Sequence, residues 1–305
     1  MIKKINLGGC EMKNILVLGG TRFFGLKAVR LMIEKGYRVT IATRGKQPHP
    51  FGDEVNHLIL DARDGAHEGW EAVLKEKWDA VFNNVLFTKE DAQLMIDKFS
   101  GEIENFYFTS SMAVYSGDKD GYVEEDFNPV AYEIDESIEV TYGEGKRQAE
   151  TVLYKHAPFT VTAFRFPIVL DTDDYTERLH FYIEKALNQE KIYVKNLSSK
   201  VNYVKGSTAA DSILWAIENE KSGMYNVSSI DAVTIQTLMD WIAEGTGQKL
   251  NVVEQEQFDE SSPFSPAHDQ YLISDKIHQE GFKLSELEIW MKPLIKALNN
   301  EMIEQ

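Results

Sequence analysis

The run Ile15-Leu-Val-Leu18, followed at once by Gly19-Gly20 and then by Gly25, constrains this chain more than any other stretch. Consecutive apolar residues ending in a glycine turn read as a strand buried on both faces. Phe24, Ala28, Leu31 and Met32 then recur at helical spacing, and Gly36 stops the helix. Arg38–Ala42 is the next strand, rich in β-branched residues. Further strands are predicted at His57–Leu60, Trp78–Phe82 and Asn105–Thr109, with a helix at Lys89–Phe99 carried by Ala92, Met95, Ile96 and Phe99. Strands alternating with helices predict βαβ units: an α/β fold with a Rossmann-type, doubly wound parallel sheet. Residues 12–170 are expected to form this domain, with 201–230 returning to it. Residues 171–200 and 231–305 are expected to form a smaller substrate lobe. Met12-Lys-Asn-Ile reads like an ordinary start, so residues 1–11 are expected to be a leader or flexible extension.

Composition narrows the function classes. At 43% hydrophobic and 27% charged, the 305 residues are globular in character, and no apolar run approaches the ~18 residues of a membrane span. The first residues lack the apolar centre of a secretory signal. Cys10 is the single cysteine, which excludes an intramolecular disulfide and fits a cytoplasmic location. A net charge of −17, with no basic cluster larger than pairs such as Lys146-Arg147, disfavours nucleic-acid partners. The seven His are scattered without metal-ligand spacing, so no metal site is expected. The five Trp sit in apolar patterns and read as packing residues.

Between Asp118 and Glu144 ten acids stand against one base, Lys119, and the stretch is expected to be a solvated loop at the mouth of the sheet. Thr141-Tyr-Gly-Glu144 has capping-box spacing and predicts a helix running to about Tyr154. A strand at Thr160–Phe166 and an amphipathic helix from Thr234 to about Gly245 follow.

The glycine loop suits a dinucleotide. Such a site needs a tight turn, a helix start whose N–H groups face pyrophosphate, and a glycine for close helix–strand packing. Gly19 and Gly25 fit the first and last roles, while Arg22 stands where the motif usually has its middle glycine. The second strand ends Ala42-Thr43-Arg44-Gly45-Lys46, with no acid for the ribose hydroxyls of NAD. Arg44 with Arg22 could clamp a 2′-phosphate, so NADP is expected ahead of NAD. The competing reading leaves Arg44 and Lys46 as solvated loop charges.

Tyr142 and Lys146 stand at i and i+4 on one helix face. A free tyrosine has a pKa of about 10, too high for acid–base work near neutrality. A neighbouring ammonium, helped by oxidised nicotinamide, is expected to lower it. The spacing alone is common by chance. It gains weight from Ser110-Ser111, at the end of a predicted strand on the edge where parallel sheets bind ligands.

Taken together, Gly19-Gly-Thr-Arg-Phe-Phe-Gly25, Asp61-Ala-Arg-Asp64, Thr109-Ser-Ser-Met-Ala-Val-Tyr115, Tyr142-Gly-Glu-Gly-Lys146-Arg-Gln-Ala-Glu150 and Phe164-Arg-Phe-Pro-Ile168 resemble the extended or atypical short-chain dehydrogenases/reductases, the NAD(P)-dependent epimerase/dehydratase family. The resemblance covers roughly residues 14–250. It implies Ser111 as the substrate-binding serine, Tyr142 as the acid–base and Lys146 as its partner. It implies cofactor contacts from Gly19, Thr21, Arg22, Phe23, Phe24, Gly25, Thr43 and Arg44, from Asp61 facing the adenine and Ala62 after it, from Asn83, and from Pro167 bordering the nicotinamide. The chain departs from the family at Asn83-Asn84, where His-Leu is common, at Val169-Leu-Asp171, where Tyr-Gly-Pro is usual, and at Thr208, where Asp is common. The Arg22 loop resembles an atypical branch that also contains chloroplast stem-loop-binding relatives.

Arg178 opens the expected lobe and could bind an anionic substrate such as a nucleotide diphosphate, against the plainer reading of a capped helix start with a solvated Arg. The expected function is NADP-dependent oxidation–reduction or epimerisation of a hydroxyl or carbonyl, with a nucleotide sugar as one candidate and a homodimer left open. A nucleotide-binding regulatory or RNA-associated protein with little turnover is the alternative.

Overall fold

The computed structural model describes residues 12–255 and 262–304. The expected leader 1–11, with Cys10, lies outside the described residues. Chain order gives β1 (Asn14–Leu18), α1 (Phe23–Glu34), β2 (Arg38–Thr43), β3 (Asn56–Ile59), α2 (Trp70–Lys75), β4 (Ala80–Asn83), α3 (Lys89–Phe99), β5 (Asn105–Ser111), α4 (Tyr142–His156) and β6 (Thr160–Phe166). Next come β7 (Val169–Leu170), α5 (Arg178–Leu187), β8 (Lys191–Val194), β9 (Lys200–Val201), β10 (Val204–Lys205), α6 (Gly206–Glu218) and β11 (Gly223–Asn226). The chain closes with β12 (Val233–Thr234), α7 (Ile235–Thr246), β13 (Asn251–Glu254), α8 (Asp275–Gln279) and α9 (Leu287–Glu304).

Seven strands form one sheet in the order β11-β6-β5-β4-β1-β2-β3, and every pairing in it is parallel. The order reverses between β1 and β4, which makes the carboxyl ends of these two strands the ligand crevice of a doubly wound sheet. Ile15 to Leu18 are fully buried because apolar layers cover both faces. On one face α1 and α6 pack through Ala28, Val29, Met32, Ala209, Ile213 and Ile217; on the other, α3 and α4 pack through Met95, Phe99, Ala149 and Leu153. A further apolar cluster gathers α5, α7 and α9 around Tyr182, Leu238, Trp290 and Leu294, with β8 paired to β13. Residues near 275–282, expected in the lobe, pack on the main sheet instead, since Ile277 and Phe282 join the α1–α6 layer.

Local differences have local causes. The fourth strand starts at Ala80 rather than Trp78, whose indole is buried and donates to Val73 O at 2.9 Å. β5 runs on to Ser111, paired with Phe166. Thr141 caps α4 as expected, accepting from Glu144 N at 3.3 Å. Glu144 does not complete the capping box: its carboxylate takes bonds from Tyr132 Oη, Arg147 and Gln148. The acidic stretch is accordingly not wholly solvated, because Glu124 and Glu144 are buried.

Candidate active site

The glycine loop joins β1 to α1 at the crevice. Gly20 has φ +79°, and a Cβ there would meet Val17 Cγ1 at 2.7 Å, so a side chain is excluded by conformation and by space. At Gly25 a Cβ would meet the Asn84 side-chain nitrogen at 2.6 Å and Gly20 Cα at 3.2 Å, which fixes how closely α1 approaches the sheet. Arg22 is the N-cap of α1 but makes no side-chain cap bond, and no acid occupies the helix's first turn. The first N–H groups of a twelve-residue helix are therefore left for an anion, an arrangement that fits pyrophosphate. Phe23 adopts φ +50°, a left-handed conformation rare outside glycine.

The two arginines expected to share a phosphate have different surroundings. Arg44 follows β2, exposed and without an ion-pair partner among the described residues. Arg22 instead lies with its guanidinium carbon 5.8 Å from the Tyr175 ring centroid. Thr43 Oγ1 is taken up by His57 Nε2 at 2.8 Å and by Gly45 N at 3.2 Å. Asn83 is buried, and its side-chain oxygen accepts from Val85 N at 2.9 Å, so it shapes the turn after β4. Its neighbour Asn84 accepts from Thr109 Oγ1 at 2.7 Å and bridges that turn to β5 beside Gly25. Asp61 follows β3, its Oδ1 accepting from Arg63 N at 3.2 Å; Ala62 is buried, and so is Pro167 between β6 and β7. Thr21 is half-buried in the glycine loop, and Phe24 packs its ring 5.5 Å from Phe166.

Ser111, Tyr142 and Lys146 meet where β5 ends against the start of α4. Gly143 permits this approach, since a Cβ there would strike Ala113 O at 2.5 Å. Ser111 Oγ accepts from Ala113 N at 3.1 Å. Tyr142 is 56% exposed, yet the protein around its hydroxyl raises its pKa; a Ser111 hydrogen bond and the Arg178 charge pull the other way. Lys146 is 2% exposed and donates to Leu86 O at 2.5 Å and Thr109 O at 2.7 Å. Burial brings its pKa down to about 7, against the opposing charges of Glu150 and Asp91. The fall expected for the tyrosine from its lysine is thus not what the protein by itself produces: the phenol is pushed up and the ammonium down. Arg178, at the first position of α5, is half-buried and has no ion-pair partner among the described residues.

Several residues near the site had no mark in the sequence. Asp91, the third residue of α3, closes a capping box with the N-cap Thr88, accepts from Phe87 N at 2.8 Å and pairs with Arg63 at 2.9 Å. Tyr175 sets its ring 6.3 Å from Phe23 and faces Arg22, while Lys27 of α1 pairs with Asp173 at 2.9 Å. Behind the site Arg165 and Glu150 form a fully buried pair at 2.6 Å, and Ser110 Oγ donates to Glu150 at 2.5 Å. The Arg165 and Glu150 positions lie within the family motifs, but only the fold brings them together.

The NAD dependent epimerase/dehydratase family model matches residues 15–228. A relative by sequence is the chloroplast stem-loop binding protein of 41 kDa b of Arabidopsis thaliana, 25% identical over 77% of this chain and 64% of that protein; the chain thus spans less than two thirds of that relative's length. Among solved structures, a UDP-glucose 4-epimerase superposes with a TM-score of 0.72 at 18% identity, over 96% of this chain and 98% of that one. A dTDP-glucose 4,6-dehydratase from Bacillus anthracis str. Ames, in complex with NAD, gives 0.72 at 15% identity over 95% and 98%. A UDP-N-acetylglucosamine 4-epimerase from Bacillus cereus gives 0.69 at 18% identity over 95% and 99%. At these identities the structural likeness speaks for the fold.

Proposed function

We propose, from the premise that this chain belongs to the NAD dependent epimerase/dehydratase family, that it is an NADP-preferring enzyme acting on a hydroxyl or carbonyl carbon, a nucleotide sugar being one candidate substrate. The observation that carries this reading is the convergence of Ser111, Tyr142 and Lys146 beside a glycine loop whose helix start is open to an anion. The loop and the N-terminus of α1 would hold the pyrophosphate, and a bound nicotinamide would supply hydride transfer at its C4.

The chain's own residues handle the proton and the orientation. Ser111 hydrogen-bonds the substrate oxygen. Tyr142 Oη takes the proton from a substrate hydroxyl, or returns it to a carbonyl oxygen. Lys146 brings positive charge near the Tyr142 ring, with Nζ 5.9 Å from its centroid, and Arg178 adds a second charge from α5 that favours phenolate. Arg178 also suits an anionic substrate group, because among the described residues no carboxylate lies within ion-pair distance of it. Residues of α5, α7 and α9 serve as the substrate lobe in this reading.

The cofactor preference has its own test. No acid ends β2 and Arg44 is free to bind phosphate, so NADPH should bind more tightly than NADH. Arg44→Ala should weaken NADPH by about 1.5–3 kcal/mol, roughly ten- to a hundredfold, while barely changing NADH. Fluorescence titrations giving equal affinities in the wild-type protein would remove the preference.

A second reading keeps the pocket and dispenses with turnover: a nucleotide-binding regulatory or RNA-associated protein. The stem-loop binding relative favours it and the −17 net charge opposes its RNA version. Mass spectrometry of whatever small molecule co-purifies, followed by NADPH turnover against carbonyl and nucleotide-sugar panels, separates the two. Tight RNA binding with no turnover on any panel member would favour the second.

A further inference from the structure

Phe87, on the turn between β4 and α3, lies against the buried lysine. Its ring centroid is 4.6 Å from Lys146 Nζ and 6.4 Å from the Tyr142 ring. Lys146 is 2% exposed, whereas the Phe87 ring against it is 37% exposed and so reaches solvent. The main chain beneath this ring is pinned: Phe87 N donates to Asp91 Oδ2 at 2.8 Å, and Phe87 O lies so near Gly145 that a Cβ there would sit 2.9 Å away. Arg63, held by Asp91, brings its guanidinium carbon within 5.6 Å of the same ring. Lys146 spends two of its three N–H groups on Leu86 O and Thr109 O.

We propose that Phe87 is a positioning residue: its ring roofs the Lys146 ammonium, keeps water from it, and reserves the remaining N–H for a ligand entering beside Tyr142. The proposal rests on the reading of Lys146 as the partner of Tyr142. The charged groups facing the ammonium are Glu150 from its own helix and Asp91 from α3, both favouring charge, with Tyr142 on the open side and Arg63 reaching the ring. Against Glu150 and Asp91, burial still dominates the lysine, and Phe87 is a part of that burial that reaches solvent.

The test reads Lys146 directly in the ligand-free protein, by NMR titration of 13C-labelled lysine, with Lys146→Met identifying its signal. The wild-type midpoint should lie near the value of about 7 that burial gives. Phe87→Ala admits water and should raise the midpoint by about one unit or more, a tenfold change in dissociation. Phe87→Leu keeps an apolar roof without the ring's negative face, so its midpoint should stay low. An Ala midpoint equal to wild type, or a Leu midpoint rising as far as Ala's, overturns the proposal. If the Ala variant fails to fold, Phe87→Ser gives the same comparison at this partly exposed position. No turnover is needed for this measurement, so absence of catalysis would count against the proposed function while leaving the roof to be judged on the midpoints. In an active enzyme that needs the ammonium, Phe87→Ala should also extend activity to higher pH.

Discussion

Replacing Tyr142 by Phe should lower turnover by about 10²–10⁴, the span for removing a general acid–base group. The substitution keeps the ring that packs 6.4 Å from Phe87 and removes only the hydroxyl, so folding and nucleotide affinity should change little. The effect should be large because the surroundings single out that hydroxyl: Ser111 and Arg178 act on it from β5 and α5, two elements far apart in the chain. Without a ligand, desolvation wins and the phenol stays protonated well past neutrality, which suits proton donation to a carbonyl oxygen. Oxidation of a hydroxyl needs the reverse transfer, and the positive charges of Lys146, Arg178 and an oxidised nicotinamide would all favour it. Steady-state rates for both proteins on the same substrate, with nucleotide affinities measured alongside, decide the matter. Wild-type turnover by Tyr142→Phe would end the assignment of this residue, whatever the fold.

Arg165→Met should be the most destabilising single change considered, at about 3–5 kcal/mol, the cost of leaving a buried charge without its partner. Arg165 and Glu150 are both fully buried. Burial alone would lower the arginine's pKa, but Glu150 and Tyr115 outweigh it, and the guanidinium is held more firmly charged than usual. Its five donors are spent on Glu150, Tyr115 Oη, Glu124 O and Phe127 O. Through these it fastens β6 to α4 and to the acidic stretch, while Tyr115 Oη donates on to Asn226 of β11 at 2.6 Å. Removing the arginine strands Glu150, whose Oε1 also receives Ser110, next to Ser111. Turnover should therefore fall together with stability. The double variant Arg165→Met/Glu150→Leu removes both charges and should recover most of the lost stability, since an apolar replacement of a whole buried pair is often neutral. Denaturant unfolding would check this. A loss below about 1 kcal/mol for Arg165→Met, or a double variant no more stable than the single, would show that the pair does not carry this region.

The sheet and its glycine turn were legible in the residue order alone, because both depend on short-range chemistry. Ile15–Leu18 had to be buried on both faces, and a glycine pair after such a strand admits few other turns. The i, i+4 spacing of Tyr142 and Lys146 likewise fixed their common helix face, and Thr141 marked where that helix begins. Details departed from expectation where a side chain was taken by another partner: Trp78 by Val73 O, with β4 starting only at Ala80, and Glu144 by Tyr132 and Arg147, which leaves its capping box incomplete. The electrostatic character of the site, by contrast, emerges only in the folded chain. No local pattern could tell that Lys146 would be spent on the carbonyls of Leu86 and Thr109, that Arg22 would face Tyr175, or that Arg178 would act on the Tyr142 hydroxyl. Charge state depends on desolvation and on partners dozens of residues away, and both come into being when the crossovers bring the carboxyl ends of β1, β4 and β5 to one edge.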